Sequence, residues 1–217
     1  MRLAVVASHP IQYQAPLFRE LARRTDLKVF FAHRATAADQ AKAGFGVAFD
    51  WDIDLTSGYA HQFRQNRSRS PNIESFSGCD TPSVADALAG FEPDVLLLTG
   101  WRLKSDWQAL IAAKRRRTPV IVRGDSQLQT PRNLAKRALK TLLYPVGLRQ
   151  FDAALYVGER SRRYWTHYGY PAARMFHAPH CVDNDWFAER ATAEARRGLR
   201  RELGAPDDAF LVLFAGV

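Results

Sequence analysis

Short apolar runs alternate with amphipathic segments along most of the chain. Six apolar runs predict β-strands, and these are Leu3–Ala7, Lys28–Ala32, Asp94–Thr99, Pro119–Arg123, Ala153–Val157 and Met175–Ala178. Most of them are almost continuously apolar, which is typical of parallel strands that are covered on both faces of a sheet.

Helical periodicity fills most of the intervals between these strands. The predicted helices are Tyr13–Arg24, Thr81–Gly90, Ser105–Arg117, Pro131–Leu143 and Glu159–Tyr168. Strands that alternate with helices form right-handed βαβ units. We therefore expect an α/β fold with a Rossmann-like, doubly wound and mostly parallel sheet.

Two regions depart from this alternation. Ala43–Ser77 contains "RQNRSRSPN", which predicts an exposed loop, and "FDWDIDL" at 49–55, where we expect a short antiparallel excursion.

Near the C-terminus, "AERATAEARRGLRRELG" predicts a charged helix that ends at Gly204, and "FLVLFAGV" predicts a new strand. We expect a Rossmann-like acceptor-binding domain at 1–187, a linker helix at 188–209, and at 210–217 the first strand of a further domain that is missing here. An apolar strand of this kind should pack on a second copy or fold back on its own domain.

Composition and charge narrow the class of protein. The chain has 217 residues, of which 47% are hydrophobic, and its net charge is +9. Its length is sufficient for one large α/β domain. Positive charge fits nucleic acid, anionic lipid or sugar phosphates as partners. However, no nucleic-acid-binding motif is present, so we expect no nucleic-acid partner.

Cysteine usage and hydropathy indicate the compartment. Cys79 and Cys181 are far apart and form no CxxC motif, which favours a reduced, cytoplasmic protein. No apolar stretch approaches the roughly 20 residues that a membrane-spanning helix needs. The histidines are scattered without the spacing of zinc ligands.

Candidate chemistry lies where the predicted strands end, because ligands of open parallel sheets bind outside the carboxyl ends of the strands. The segments that follow these ends include "SHPIQYQ", "GWR", "GDSQ", "GER" and "PHCVDND". Several such loops at one edge predict a polar cleft. We expect one depression to be surrounded by Ser8, His9, Trp101, Arg123, Asp125 and Asp183.

The C-terminal third of the chain carries a family resemblance. "YVGERSRRYWTHYGYPAARMFHAPHCVDNDWF" and the following "LRRELGAPDDAFLVLFAGV" resemble the end of the N-terminal domain of GT-B glycosyltransferases of family GT4. "GFEPDVLLLTGW" and "VIVRGDS" also resemble a subgroup of that family. The resemblance implies the N-terminal, acceptor-binding domain of a hexosyltransferase-type enzyme.

The family's activity then becomes an expectation for the complete enzyme. It would transfer a sugar from a nucleotide-sugar to a hydroxyl acceptor, a glycan or a lipid-linked molecule, in cell-surface polysaccharide or glycolipid synthesis. The resemblance implies a retaining reaction without a metal or another cofactor. It also implies that the donor is held by the C-terminal domain, so that this chain alone is inactive.

Site residues follow from the strand ends and from the resemblance. Asp125 and Arg123 are the catalytic candidates, because they lie where many GT4 members carry a histidine that contacts the sugar. Their alternative role is an ordinary salt bridge at a strand end. The substrate-binding candidates are Ser8, His9, Gln12, Tyr13, Gly100, Trp101, Gly124, Ser126, Gly158, Asp183 and Asn184. Ser8-His9-Pro10 replaces the glycine-rich first loop of many GT4 enzymes, and its alternative role is to brace the sheet.

Three further alternatives concern ligands and partners. The DxD pattern within Asp50–Asp54 suits a divalent metal, but it suits a half-exposed strand better, so we expect no metal site. The predicted helix Pro131–Leu143 has a basic face and an apolar face, which fits either peripheral contact with an anionic membrane or a helix that covers the sheet. The alternative to an enzyme is a non-catalytic, flavodoxin-like module that binds sugar phosphates or other anions.

Overall fold

The computed structural model describes residues 1–37, 47–129, 134–206, 208–212 and 214, with the backbone alone at 134–137. It contains one sheet of seven strands in the order β3-β2-β1-β4-β5-β6-β7. The strands are β1 Arg2–Ala7, β2 Asp26–Phe31, β3 Ala60–Phe63, β4 Val95–Leu98, β5 Val120–Gly124, β6 Ala153–Tyr156 and β7 Met175–His177. Every neighbouring pair is parallel, which confirms the predicted α/β, Rossmann-like, doubly wound architecture.

Seven α-helices accompany the sheet in the described part of the chain. They are α1 Ala15–Arg24, α2 Val84–Phe91, α3 Lys104–Arg115, α4 Leu134–Gly147, α5 Glu159–His167, α6 Asn184–Arg190 and α7 Ala193–Glu202. The predicted helix Pro131–Leu143 corresponds to α4, and its first three positions lie outside the described residues.

Alternate residues of the central strands supply two separate cores, because successive side chains of a strand point to opposite faces. On one face, Val6 of β1 packs in a cluster with residues of α2, α3 and α5. On the other face, Val5 packs in a cluster that includes Phe18 of α1. Helices therefore cover both faces, which explains why the central strands read as continuous apolar runs.

The structure corrects the expectation of an antiparallel excursion. Residues 49–55 contain no strand, and the next strand is β3, which pairs in parallel with β2. The carboxylate of Asp54 accepts hydrogen bonds from the backbone N–H groups of Thr56 (2.8 Å) and Ser57 (3.0 Å). These bonds turn the chain at this point, and together with hydrogen bonds from the side chains of Ser57 and Thr56 they lower the pKa of Asp54 to about 2. The early part of the predicted loop, 43–46, lies outside the described residues.

The C-terminal helix is divided in two. α6 ends near Ala191, and the side chain of Thr192 then caps α7 by accepting a hydrogen bond from Ala195 N (3.1 Å). A Thr N-cap of this kind starts a new helix instead of continuing the old one. Among the described residues beyond Gly204, none lies in a strand. Phe210 and Phe214 are almost fully exposed, so these residues do not fold back onto the core.

Candidate functional site

A cavity of about 1020 Å³ opens at the carboxyl ends of β1, β4 and β5. Polar and glycine residues of the strand ends line part of it, and these are Ser8, His9, Thr99, Gly100, Gly124, Asp125, Ser126 and Gln127. Apolar and aromatic residues line much of the rest, and they include Trp101, Trp107, Leu143, Tyr144, Val146, Leu148, Phe151 and Tyr164. The cavity therefore combines a polar rim with aromatic walls, which is the usual character of a small-molecule site.

The parallel topology brings many of the predicted site residues to this cavity. Those that line it are Ser8, His9, Tyr13, Gly100, Trp101, Gly124, Asp125 and Ser126. The predicted residues outside its lining are Gln12, Arg123, Gly158, Asp183 and Asn184. The first group follows strands at the centre of the sheet, whereas Gly158, Asp183 and Asn184 follow β6 and β7 toward one edge.

Trp101 forms an aromatic wall of the cavity. Its ring centroid lies 4.8 Å from that of Trp165, and its backbone carbonyl accepts a hydrogen bond from Trp107 Nε1 (2.9 Å). The ring lies directly over Gly124, where an added β-carbon would come within 2.2 Å of it. Trp101 is thus held on several sides, which gives the cavity a preformed wall.

Asp106 is a cavity residue that the sequence reasoning missed. Its side chain is only 4% exposed, and one carboxylate oxygen accepts a hydrogen bond from Leu103 N (2.9 Å) at the start of α3. Burial raises the pKa of this carboxyl to about 6, although the hydrogen bonds from backbone N–H groups act in the opposite direction. An acidic residue in the first turn of a predicted helix was the available signal, since such residues bond back to the N-cap.

Arg123 lies beneath the site instead of lining it. Its side chain is buried, with 3% exposed, and Nη2 donates to the carbonyl oxygens of Ala178 (3.2 Å) and Pro179 (2.9 Å). The guanidinium also contacts His180 Nδ1 at 3.2 Å. Among the ion pairs of the described residues, none joins Arg123 to Asp125, so the simple salt bridge is absent. Arg123 therefore anchors the segment that follows β7.

Tyr13 and His180 meet next to this anchor. Their ring centroids are 4.2 Å apart in an edge-to-face arrangement. Burial raises the pKa of Tyr13, and the nearby charge of Asp125 raises it further, while Arg123 acts in the opposite direction. Burial, together with the charge of Arg123, lowers the pKa of His180. Sequence reasoning did not select His180, and its place in "PHCVDND" after the last strand was the only signal.

Asp183 has a structural role away from the cavity. Its carboxylate caps α6 by accepting a hydrogen bond from Trp186 N (3.1 Å), and it forms an ion pair with Arg19 of α1 (3.2 Å). Arg19 also donates to the carbonyl oxygens of Ser57 (3.2 Å) and Asp54. This arrangement ties α1, the loop before β3 and the start of α6 to one another.

Within the described ranges, no group of three or more His, Cys, Asp or Glu side chains is arranged to hold a metal ion. None of the described helices combines the length and apolar character needed to cross a membrane.

Comparison with known proteins rests on structure, because neither a family model nor a curated protein sequence matches this chain. Anabaena Alr3699/HepE, solved with UDP and glucose, matches 94% of this chain and 50% of its own, with 13% identity and a TM-score of 0.60. A glycosyltransferase from Rickettsia africae ESF-5 matches 95% of this chain and 50% of its own, with 10% identity and a TM-score of 0.58. UDP-N-acetylglucosamine 2-epimerase from Rickettsia bellii matches 94% of this chain and 51% of its own, with 15% identity and a TM-score of 0.53.

One of these neighbours is a glycosyltransferase, the class of enzyme that the sequence resemblance implies, whereas the assignment to GT4 stays a prediction. At such low identity the likeness concerns the fold. The chain spans about half the length of the solved structures that it matches, and it has the fold of about one half of each of these proteins.

Proposed function

We propose that this chain is the acceptor-binding half of a glycosyltransferase that moves a sugar from a nucleotide-sugar to a hydroxyl acceptor. The observation that carries the proposal is the cavity at the carboxyl edge of the sheet, with polar groups at its rim and aromatic walls. Support also comes from structural neighbours that were solved with UDP and with UDP-glucose. The finer assignment, a retaining GT4 enzyme of polysaccharide or glycolipid synthesis, is part of this proposal.

The lining of the cavity suits a glycan. The flat ring of Trp101 offers an apolar surface to the C–H face of a sugar, and its position is fixed by Trp165 and Gly124. Asp125 is exposed at the rim and accepts hydrogen bonds from sugar hydroxyls in this proposal, with Ser126 beside it. A carboxylate makes strong, directional bonds to hydroxyl groups, so it would orient the acceptor.

In this proposal the nucleotide-sugar donor is bound by the other half of the enzyme. The segment 188–217 resembles the passage between the two domains of GT4 enzymes, and the chain spans half of its structural neighbours. The nucleotide-sugar would then be held mainly by residues beyond Val217, facing the cavity across a cleft.

The test compares residues 1–217 with the same chain extended through its downstream coding sequence. Release of nucleotide is measured from a panel of nucleotide-sugars with mixed hydroxyl acceptors. We expect turnover by the extended chain and none by residues 1–217. Asp125→Asn in the extended chain should lower kcat by about 100-fold, because a misplaced acceptor reacts more slowly, whereas Glu189→Gln, an exposed acid on α6, should leave it unchanged.

Three outcomes would contradict the proposal. Robust turnover by residues 1–217 alone would show that no second half is needed. Full activity of Asp125→Asn would show that Asp125 does not orient the acceptor. Binding of sugar phosphates without turnover by either chain would instead support a non-catalytic, anion-binding module.

A second candidate is a nucleotide-sugar epimerase, which the Rickettsia bellii neighbour favours. The same experiment separates it from a transferase, because an epimerase changes the sugar without an acceptor. Chromatography of the nucleotide-sugar pool after incubation without acceptor would reveal a new epimer, and a glycosyltransferase would leave the sugar unchanged.

A further inference from the structure

Two buried polar side chains line the cavity from opposite sides of the sheet. Gln14 lies immediately before α1 and Asp106 lies in the first turn of α3, and they are only 5% and 4% exposed. α1 packs on one face of the sheet and α3 on the other. The strands that precede them, β1 and β4, are neighbours in the sheet although they are distant in sequence. Where the strand order reverses in this way, the loops diverge and leave a crevice in which ligands of open parallel sheets bind.

Asp106 keeps the capacity to accept further hydrogen bonds. Its carboxylate accepts a bond from Leu103 N (2.9 Å) and another from the backbone N–H of Arg102. A carboxylate has about four lone-pair positions, so two N–H donors leave part of that capacity unused. Among the ion pairs in the described part of the chain, none includes Asp106. A ligand that donates hydrogen bonds would therefore stabilise this buried carboxylate.

Gln14 supplies a second acceptor in the same cavity. Its side-chain Oε1 is buried and has no hydrogen-bond partner among the described residues. A buried oxygen without a partner destabilises the folded protein, because it has lost its bonds to water and gained none in return. The terminal torsion of a glutamine side chain is broad, so the amide can turn toward a ligand at little cost. The oxygens of Gln14 and Asp106 thus call for a ligand that carries hydrogen-bond donors.

We propose that Gln14 and Asp106 form an inner subsite that selects an electrically neutral sugar in the acceptor, by accepting hydrogen bonds from its hydroxyl groups. The inference rests on the proposed function and names the class of acceptor. Hydroxyl groups supply the donors that both oxygens need, and the ring of Trp101 supplies an apolar surface in the same cavity. A uronic acid or a sugar phosphate would bring negative charge close to Asp106, where burial makes like charges repel more strongly than in water.

The positive charges of the cavity act elsewhere. Arg102 and Lys140 are the Arg and Lys residues that the structure places in its lining. Arg102 is exposed, and its guanidinium donates to the carbonyl oxygen of Ile73. Its charge affects the pKa of Asp106 less than burial does. The ammonium group of Lys140 lies 4.7 Å from the centre of the Tyr144 ring. Neither cation forms an ion pair with Asp106, so the subsite keeps its preference for hydroxyl groups.

The experiment measures the binding of small sugars to residues 1–217 by saturation-transfer NMR and by tryptophan fluorescence. The neutral probes are the methyl glycosides of glucose, galactose and mannose, and each is paired with its uronic acid. Methyl glucosaminide, which carries an ammonium group, completes the set. We expect at least one neutral glycoside to bind at least about tenfold more tightly than its uronic acid. This comparison uses the wild-type chain, so it stands even if a substitution disturbs folding.

Substitutions separate a binding role from a structural one. Gln14→Leu and Asp106→Asn should each weaken binding of the preferred glycoside by about tenfold. Neither should lower the midpoint of denaturant unfolding at pH 7, because each replaces a buried group that is incompletely satisfied in the free protein. Asp106→Asn should also reduce the preference over the uronic acid. The matched control is Asp86→Asn, an exposed acid in the first turn of α2 and outside the cavity lining, which should bind like the wild type.

Several results would overturn the inference. These are equal binding of neutral and acidic probes, no binding of any neutral probe, tightest binding of the glucosaminide, and lower unfolding midpoints with unchanged binding in both variants. Its failure is distinguishable from failure of the proposed function. Transfer by the extended chain with an acceptor KM that neither substitution changes would refute the subsite alone. Selective, Gln14-dependent binding by residues 1–217 without transfer by the extended chain would refute the transferase and retain the subsite.

Discussion

The ring of Trp101 occupies the space that a side chain at position 124 would need. A β-carbon built on Gly124 would lie 2.2 Å from Cζ3 of the ring, well inside any allowed contact. Gly124 does not have a positive φ, so its backbone conformation alone does not call for glycine. The requirement is steric, and it couples the end of β5 to the wall of the cavity.

Gly124→Ala should therefore move the Trp101 ring and reshape the cavity. We expect a loss of about 1–3 kcal/mol in the free energy of unfolding, which is typical of overpacked sites, together with a change in tryptophan fluorescence. The control is Gly90→Ala in α2, where nothing lies within 4 Å of the added carbon. That change should be neutral or stabilising by up to about 1 kcal/mol. Equal behaviour of the two variants would contradict the steric account.

Asp106 should give the protein a distinctive dependence of stability on pH. Its pKa is about 6 in the folded state and about 3.9 in an unfolded chain. Between these values the folded protein holds a proton that the unfolded chain releases. The contribution of Asp106 to stability is therefore greatest below about pH 4, and it falls as the pH rises to 6.

Asp106→Asn should remove this dependence, since an amide oxygen can still accept the hydrogen bond from Leu103 N. The difference in unfolding free energy between variant and wild type should shift by about 2 kcal/mol in favour of the variant from pH 4 to pH 7. Denaturant titrations of both proteins across this range measure it, and other acidic groups cancel in the difference. Parallel stability profiles would show that burial does not perturb this carboxyl.

The ion pair between Arg19 and Asp183 should contribute measurably to stability. Its side chains are only 21% and 28% exposed, so solvent screens the pair incompletely. Asp183→Asn keeps a capping side chain and should cost about 1 kcal/mol, while Asp183→Ala should cost about 1 kcal/mol more. The control is Glu20→Gln, which breaks the more exposed pair with Arg24 on the same helix and should leave the free energy of unfolding nearly unchanged. A double-mutant cycle with Arg19→Ala and Asp183→Asn that shows no coupling would refute a stabilising pair.

Arg123→Lys should loosen the segment after β7, because an ammonium group cannot reproduce the forked bonds to Ala178 and Pro179. We expect a loss of about 1.5–3 kcal/mol in unfolding free energy and faster hydrogen exchange at 178–183. Arg163→Lys, at an exposed residue paired with Glu159, is the control and should have little effect. Unchanged exchange combined with lost transfer activity in the extended chain would instead assign Arg123 to the substrate.

The exposed residues near the C-terminus should promote association. Phe210, Val212 and Phe214 are 92%, 83% and 90% exposed, and a large apolar surface of this kind favours contact with another molecule. Light scattering of residues 1–217 should show a mass that rises with concentration, whereas residues 1–204 should stay monomeric. If both are monomeric at high concentration, these residues do not drive association.

The sequence revealed the centre of the sheet more clearly than its edge. β1, β4 and β5 are covered on both faces, so each one reads as an apolar run. β3 is an edge strand of four residues whose first three are exposed, so the sequence contains no apolar run that would predict it.

The same contrast holds at the cavity. Asp125 and Trp101 lie just after the ends of two parallel strands. The parallel topology places these strand ends at one edge of the sheet, so both residues could be predicted from the sequence. Asp106 and Tyr144 come from helices, and their approach to the cavity depends on how those helices pack. Arg123 was visible at a strand end, but the direction of its side chain depends on the chain after β7, which is distant in sequence.

The strand order also has a consequence for the nascent chain. β1 is made first but lies between β2 and β4 in the sheet, so one of its edges stays open until Val95–Leu98 has been synthesised. Counted from the end of β1 at Ala7, this interval lasts roughly 5 to 18 seconds at ordinary rates of translation. During that time an apolar strand is available to wrong partners, and the ribosome-bound chain is most exposed to aggregation. Once β4 has paired, β5, β6 and β7 join the growing edge in the order in which the ribosome delivers them.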